Sequence, residues 1–237
     1  MKFDTIAFDL DGTLYPNISL YRHLVSFLLK EQRLLRAMNK ARKYLRKTGA
    51  YEDDFYITQA RLMGETLREP ADKIREKTER LIYRGWEPYF KKIKLFPYVR
   101  ETLDSFRKAG IRMGLLSDFP PENKLENLKI VEYWDVVVCS EVAGRLKPDP
   151  APFLDLAERM GRSPENILYV GNSISYDVEG ACRTGMKTAL VHSGWKSRFK
   201  ASGANGPVPG RIRAAGPARS PVFSFYDYRQ LHDYVLS

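Results

Sequence analysis

Short apolar runs alternate with helical segments between residues 96 and 193, and this alternation constrains the fold more than any other feature. The runs predicted to be strands occupy residues 111–118, 135–140, 167–172 and 187–193. Another precedes them at 4–9, and a last one follows at 221–225. Gly110, Gly161 and Gly185 stand where the helical segments between them would end. Strands that alternate with helices predict an α/β fold with a doubly wound, mostly parallel sheet.

A helical segment interrupts this pattern directly after the first strand. Apolar residues recur there at positions 34, 38, 41 and 45, which is the spacing of one helix face. The opposite face carries five basic residues: Arg33, Arg36, Lys40, Lys43 and Lys47. Further helices are predicted over 53–67 and 71–83. We therefore predict a discontinuous core of residues 1–14 and 95–237, with an α-helical domain of residues 15–94 inserted into it.

Composition and charge narrow the class of protein. Apolar residues make up 43% of the 237 positions, which is enough for a substantial core. The formal charge of +10 is concentrated in two segments, Arg22–Lys47 and Lys196–Arg219. Residues 200–220 are rich in Gly, Pro and Arg without periodicity, and they are predicted to form a flexible loop within the core.

No feature of the sequence predicts a membrane or a secreted location. The chain contains no apolar stretch near the ~20 residues of a membrane helix, and its N-terminus lacks the pattern of a secretion signal. Cys139 and Cys182 form no CxxC pattern, so reduced thiols are expected. We predict a cytoplasmic protein without a membrane partner.

Two aspartates, Asp9 and Asp11, end the first apolar run, and Gly12 follows them in the sequence FDLDGTLYPN. A strand followed by a turn explains Gly12, but it leaves Asp9 inside an apolar environment. An unpaired buried carboxylate would cost several kcal/mol, so a compensating partner is expected. Residues two apart on an extended strand point the same way, which would bring both acids to one site.

Other polar residues follow the later strands. Ser117 and Asp118 end the second strand, and Lys147 lies in the loop after the third. Asn172 ends the fourth strand, and Asp177 follows closely. The carboxyl ends of parallel strands meet at one edge of the sheet, where α/β proteins bind their ligands. A hydroxyl, a lysine and several acids at that edge indicate a site where a metal and an anion meet.

Four segments in order carry a family resemblance: DLDGT (9–13), LLSD (115–118), RLKPDP (145–150) and GNSISYD (171–177). With these motifs the chain resembles the haloacid dehalogenase-like hydrolase superfamily. The resemblance implies a Rossmann-like core, with residues 15–94 in the place of a helical cap inserted after the first motif. It also implies a phosphatase that acts on small phosphate monoesters.

The resemblance assigns a role to each motif residue. Asp9 would be the nucleophile that forms an acyl phosphate, and Asp11 the general acid and base. Ser117 and Lys147 would act on the phosphoryl group as catalytic and binding residues, and Thr13 and Asp118 would complete the substrate site.

The resemblance also implies a Mg²⁺ cofactor, which would neutralise the acids and the phosphate. The implied ligands are Asp9, the backbone carbonyl of Asp11, Asn172 and Asp177. The family commonly has an aspartate where this chain has Asn172, so one ligand would be a neutral amide oxygen.

Several alternatives stay open. A dehalogenase is disfavoured because such enzymes lack the second aspartate, whereas a sugar phosphomutase would use both. A nucleotidase-like phosphatase is also possible, because a nucleoside monophosphate is among the candidate substrates.

A function of another class would use the basic face of the predicted helix. This face could hold RNA in a weakly active domain, or it could steer an anionic substrate. We favour a solvated face, since no aromatic residues interleave with the charges.

Overall fold

The described part of the chain is built on a six-stranded sheet. A computed structural model describes residues 2–49, 54–192 and 221–237. The strands are β1 (Thr5–Phe8), β2 (Arg112–Ser117), β3 (Val136–Cys139), β4 (Ile167–Gly171), β5 (Lys187–Val191) and β6 (Phe223–Phe225). Their order is β3-β2-β1-β4-β5-β6, and every neighbouring pair is parallel. The predicted α/β fold with a doubly wound parallel sheet is confirmed.

Helices cover both faces of the sheet. Those that belong to the sheet region are α7 (Val99–Lys108), α8 (Glu122–Leu128), α9 (Pro150–Arg159), α10 (Glu179–Arg183) and α11 (Tyr228–Leu236). Side chains alternate along β1, so Ile6 and Phe8 enter one core cluster with α7 and α11. Ala7 faces the opposite way, into a second cluster with α9 and α10. β1 is therefore buried on both faces, as its apolar run predicts.

A helical insertion, residues Asn17–Phe90, follows β1. It contains α1 (Asn17–His23), α2 (Val25–Lys30), α3 (Gln32–Thr48), α4 (Phe55–Leu67), α5 (Ala71–Thr78), the π-helical turn Glu79–Tyr83 and α6 (Glu87–Phe90). The predicted apolar face of α3 is buried, at Leu34, Met38, Ala41 and Leu45. Each residue of its predicted basic face is exposed. That the insertion moves as a cap, with the predicted boundaries, stays a prediction.

The remaining expectations concern compartment and thiols. Within residues 2–49, 54–192 and 221–237, no helix combines the length and the hydropathy needed to cross a bilayer. Cys139 and Cys182 are both free thiols, as expected. The flexible loop predicted at 200–220 lies outside the described residues.

Candidate active site

Asp9 is buried at the carboxyl end of β1, and a cation compensates its charge. The Nζ atom of Lys147 lies 2.6 Å from Oδ1 of Asp9. The hydroxyl of Thr13 donates to Oδ2 of the same carboxylate at 2.6 Å. Sequence reasoning expected a metal ion to compensate Asp9. The structure adds a second positive partner, a buried lysine from the loop after β3, and the metal ion stays a prediction.

Lys147 joins the nucleophile candidate to the fourth motif. Its Nζ also donates to Oδ1 of Asp177 at 2.8 Å, so one ammonium bridges two buried carboxylates. The hydroxyl of Tyr169, on β4, lies 3.3 Å from the same nitrogen. A lone lysine before a proline is usually a solvated loop residue, but here it is the electrostatic centre of the site.

Burial and charge change the titration of this pair. Burial raises the pKa of Asp9 to about 7, although Lys147 opposes the shift and Asp177 adds to it. For Lys147, burial alone would lower the pKa. The carboxylates of Asp177 and Asp9 outweigh that effect and raise the pKa well above its ordinary value. The lysine is therefore held as an ammonium between the two acids.

Asp11 is half-buried beside this centre. Lys124, a buried residue of α8, donates to its Oδ1 and Oδ2 at 2.8 and 2.6 Å. The hydroxyl of Tyr15 donates to Oδ1, and the hydroxyl of Ser117 lies 3.5 Å from Oδ2. Lys124 and Tyr15 were not predicted as site residues, because neither stands in one of the four motifs.

Asp177 and Asn172, from the fourth motif, lie on the opposite side of the site from Lys124. Oδ2 of Asp177 accepts from the backbone N–H groups of Asn172 and Ser173, at 3.1 and 3.0 Å. The side chain of Asn172 packs against Gly12, where an added Cβ would lie 2.3 Å from Nδ2 of Asn172. The fourth motif thus contacts the turn that follows Asp11. In the part of the chain that the structure describes, no group of three or more His, Cys, Asp or Glu residues is placed to hold a metal.

Asp118 fixes the loop that carries Lys147. Its Oδ1 accepts from the backbone N–H of Lys147 at 3.1 Å, and its Oδ2 from Arg46 at 2.7 Å. Burial would raise the pKa of Asp118. Lys147, Arg42 and Arg46 overcome this effect and lower the pKa below its ordinary value. Its carboxylate is engaged with protein groups, so its assignment to substrate binding stays a prediction.

The helical insertion reaches the core through two arginines of α3. Arg42 forms a buried ion pair with Glu141, which follows β3, and Tyr83 donates to the same carboxylate at 3.1 Å. Arg46 also donates to the backbone carbonyl of Lys147 at 2.9 Å. Burial raises the pKa of Glu141 despite the opposing effect of Arg42.

Sequence reasoning missed these arginines, although a signal was present. Arg42 follows Met38 by four residues, and Arg46 follows Arg42 by four, so both extend the apolar face of α3 rather than its basic face. A basic residue on a buried helix face needs a partner, and here Glu141 and Asp118 supply it.

A cavity of about 910 Å³ opens beside Asp11, between the helical insertion and the core. Lys124 and Phe119 line it from the core side, and Tyr21, Tyr83 and Trp86 line it from the insertion. The eight predicted site residues lie at one end of the sheet in neighbouring groups: Thr13, Asp118 and Asp177 reach Asp9 directly or through Lys147, Ser117 neighbours Asp11, and Asn172 packs on Gly12. Among these predicted site residues Asp11 is the one that lines the cavity, so a small molecule bound there would lie against Asp11.

Comparison with known proteins gives one family. Residues 3–184 match the family model of the haloacid dehalogenase-like hydrolases. The matched range includes the four motifs, the helical insertion and the first four strands.

Individual relatives are more distant. The phosphoglycolate phosphatase of Escherichia coli strain K12 is 29% identical over 216 residues, which are 82% of this chain and 84% of the relative. The glyceraldehyde 3-phosphate phosphatase of Methanopyrus kandleri is 29% identical and covers 80% of this chain and 84% of its own length. The L-2-haloacid dehalogenase structure from Xanthobacter autotrophicus has a TM-score of 0.68 at 19% identity, with 99% of both chains covered, and indicates a shared fold.

Proposed function

The chain belongs to the haloacid dehalogenase-like hydrolases, and we propose that it is a Mg²⁺-dependent phosphohydrolase that cleaves small phosphate monoesters through an aspartyl-phosphate intermediate. The observation that carries this proposal is the surroundings of Asp9, a buried carboxylate within 2.6 Å of both Lys147 and Thr13. Asp11, two residues further on, supplies the second acid that phosphate transfer needs. The relatives named as phosphatases support the same activity.

In the first step an oxygen of Asp9 attacks the phosphorus atom. The new bond makes an acyl phosphate, and the bond between phosphorus and the leaving oxygen breaks. Asp11 donates a proton to that oxygen, so the alcohol leaves neutral. In the second step Asp11 takes a proton from water, the water oxygen attacks phosphorus, and the carboxylate of Asp9 is released with inorganic phosphate.

The remaining motif residues hold the phosphoryl group. The ammonium of Lys147 faces the attacking carboxylate, so it can balance the charge of the phosphoryl oxygens as they approach. The hydroxyl of Ser117 lies near Asp11, where it can donate to a phosphoryl oxygen. The hydroxyl of Thr13 donates a hydrogen bond to Oδ2 of Asp9 and thereby fixes the orientation of Oδ1.

The donor set fits a hard divalent cation. Oδ1 atoms of Asp9 and Asp177 both accept from Nζ of Lys147, so the two carboxylates are neighbours at the carboxyl end of the sheet and would supply charged oxygens to the ion. The amide of Asn172 and the backbone carbonyl of Asp11 would add neutral oxygens, which Mg²⁺ accepts. The ion would offset the negative charge of the phosphate and of the acids around it.

The helical insertion is proposed to act as a cap. The insertion forms one wall of the cavity beside Asp11. Closure of the insertion over the substrate would exclude water during the first step. The proposed division is a core of residues 1–14 and 95–237 and a cap of residues 15–94, with hinges near 15–17 and 94–97.

The test is phosphate release from para-nitrophenyl phosphate, with and without Mg²⁺. We expect metal-dependent release that is lost in Asp9→Asn, with circular dichroism showing that the variant is folded. Release that persists in Asp9→Asn would overturn the role of Asp9. A sugar phosphate converted to its isomer without free phosphate would identify a mutase instead, and salt-dependent retention of RNA on a filter would favour the binding alternative.

A further inference from the structure

The cavity beside Asp11 is much larger than the leaving groups of the named relatives require. Its volume of about 910 Å³ lies near the upper end of the ~300–1,000 Å³ that ligand pockets usually span. A leaving group of two or three carbon atoms, such as glycolate or glyceraldehyde, would leave most of that space to water. The size of the cavity therefore favours a larger group attached to the phosphate.

The charge of the lining disfavours an anionic leaving group. Six acids face the cavity: Asp11, Asp72, Glu76, Glu79, Glu87 and Glu122. Three basic residues line the cavity in the described part of the chain. Lys124 pairs with Asp11 and Arg84 pairs with Glu79 at 2.9 Å, whereas Arg75 has no ion pair among the described residues. Acids thus remain in excess away from the phosphate end. A carboxylate on the leaving group would be repelled there, so the lining selects against it.

The walls of the cavity carry aromatic rings. The rings belong to Tyr21, Tyr56, Tyr83, Trp86, Phe90 and Phe119. Trp86 Nε1 and the hydroxyl of Thr78 have no hydrogen-bond partner among the described residues, but both atoms are buried away from the surface of the cavity. The aromatic rings are therefore the feature of the wall that a bound molecule would meet. A flat ring would pack against them.

We propose that the natural substrate is a phosphate monoester whose leaving group is large, carries no negative charge and contains an aromatic ring. This inference rests on the proposed phosphatase function and specifies its substrate class. It separates this chain from relatives named for phosphoglycolate, whose leaving group is small and anionic. The cavity gives the specificity, whereas Asp9 and Lys147 act on the phosphoryl group that all such esters share.

The first experiment compares kcat/KM for phosphate release from four primary-alkyl esters, because their leaving oxygens have similar chemistry. They are phosphoglycolate, glycerol 3-phosphate, 2-phenylethyl phosphate and a nucleoside 5′-monophosphate. We expect at least one aromatic ester to exceed phosphoglycolate by at least tenfold. Equal or better turnover of phosphoglycolate than of both aromatic esters would overturn the inference while leaving the phosphatase function intact.

Binding to Asp9→Asn separates the inference from the proposed function. Calorimetric titration of this variant should show tighter binding of an aromatic ester than of phosphoglycolate, also by at least tenfold. If the binding preference holds but the wild-type protein releases no phosphate, the proposed function fails and the inference about the cavity stands. If phosphate is released and the preference is reversed, the inference fails.

Variants test the aromatic residues and the acidic residues of the cavity lining separately. Tyr21→Ala should lower kcat/KM for the preferred aromatic ester about tenfold and change glycerol 3-phosphate little. Its control is Tyr44→Ala, since Tyr44 is 54% exposed on α3 and lies outside the cavity, whereas Tyr21 is 45% exposed and lines it. Glu76→Gln should raise turnover of phosphoglycolate severalfold, and Glu65→Gln, on exposed α4 surface, should not. An unchanged preference in both cavity variants would overturn the inference.

Discussion

Lys124 donates from Nζ to both carboxylate oxygens of Asp11, at 2.8 and 2.6 Å. The two residues are 113 positions apart in sequence, and the lysine is buried where α8 meets the helical insertion. A carboxylate that accepts hydrogen bonds at both oxygens cannot rotate freely. The contact therefore fixes the direction in which the proposed general acid points.

Replacing Lys124 by Met should lower kcat about 10- to 100-fold and change KM less, because Asp11 would no longer be held in place. Steady-state phosphate release measures both constants. Lys108→Met, at an exposed position near the end of α7, is the matched control and should behave as wild type. An unchanged kcat in Lys124→Met would show that the contact does not position Asp11.

The buried pair of Arg42 and Glu141 should dominate the stability of the contact between the helical insertion and the core. Arg42→Met should lower the free energy of unfolding by ~3–5 kcal/mol, because Glu141 would keep an uncompensated buried charge. The double variant Arg42→Met with Glu141→Met should recover part of that loss. Urea unfolding of the wild-type protein, both single variants and the double variant gives the interaction free energy between the two side chains.

Arg33→Met is the control for this series, because Arg33 is exposed on the same helix. We expect a change within about 0.5 kcal/mol there. If the effects at 42 and 141 simply added, the two side chains would not be coupled across the interface.

The order of strands and helices could be predicted because it depends on local patterns. Apolar runs mark buried strands such as β1, and the spacing of Leu34, Met38, Ala41 and Leu45 marks the buried face of α3. The ends of parallel strands meet at one edge by geometry, so the motif residues could be placed together before any distance was known.

The partners of those motif residues could not be predicted in the same way. Lys124, Arg42 and Glu141 stand in no motif, and their contacts depend on how α8 and α3 pack against the core. The compensation of Asp9 illustrates the limit. The sequence required a positive partner, but the contact between Lys147 and Asp9 depended on the path of the loop after β3.

Asp118 should make stability depend on pH at the acidic end. Its folded pKa is lowered from the ordinary value of 3.8, because Lys147, Arg42 and Arg46 outweigh burial. The ionised form therefore stabilises the fold at pH values above 3.8, and this contribution is lost as the pH falls through the lowered folded pKa.

Asp118→Asn removes the titration and should lower the free energy of unfolding by ~1–3 kcal/mol at neutral pH. The difference between wild type and variant should be constant above about pH 5 and shrink below 3.8. Urea unfolding at a series of pH values measures it. A difference that stays constant down to the acid limit would contradict the lowered pKa.

Gly12 connects the turn after Asp11 to Asn172, and its replacement should damage the site more than the fold. Its φ of +89° disfavours any other residue, and an added Cβ would also lie 2.3 Å from Nδ2 of Asn172. Gly110 has a φ of +72° with nothing within 4 Å of the same position, so it shares the backbone strain without the collision.

Gly12→Ala and Gly110→Ala should therefore each lower the free energy of unfolding by ~1–2 kcal/mol for the left-handed backbone. Only Gly12→Ala should also reduce kcat, by at least tenfold, because Asn172 must move away from Asp11 and from the proposed metal ligands. Phosphate release over a range of Mg²⁺ concentrations gives kcat and the metal requirement for both variants. Equal kcat in the two would mean that the position of Asn172 does not matter for the reaction, and the assignment of Asn172 as a metal ligand would then fall.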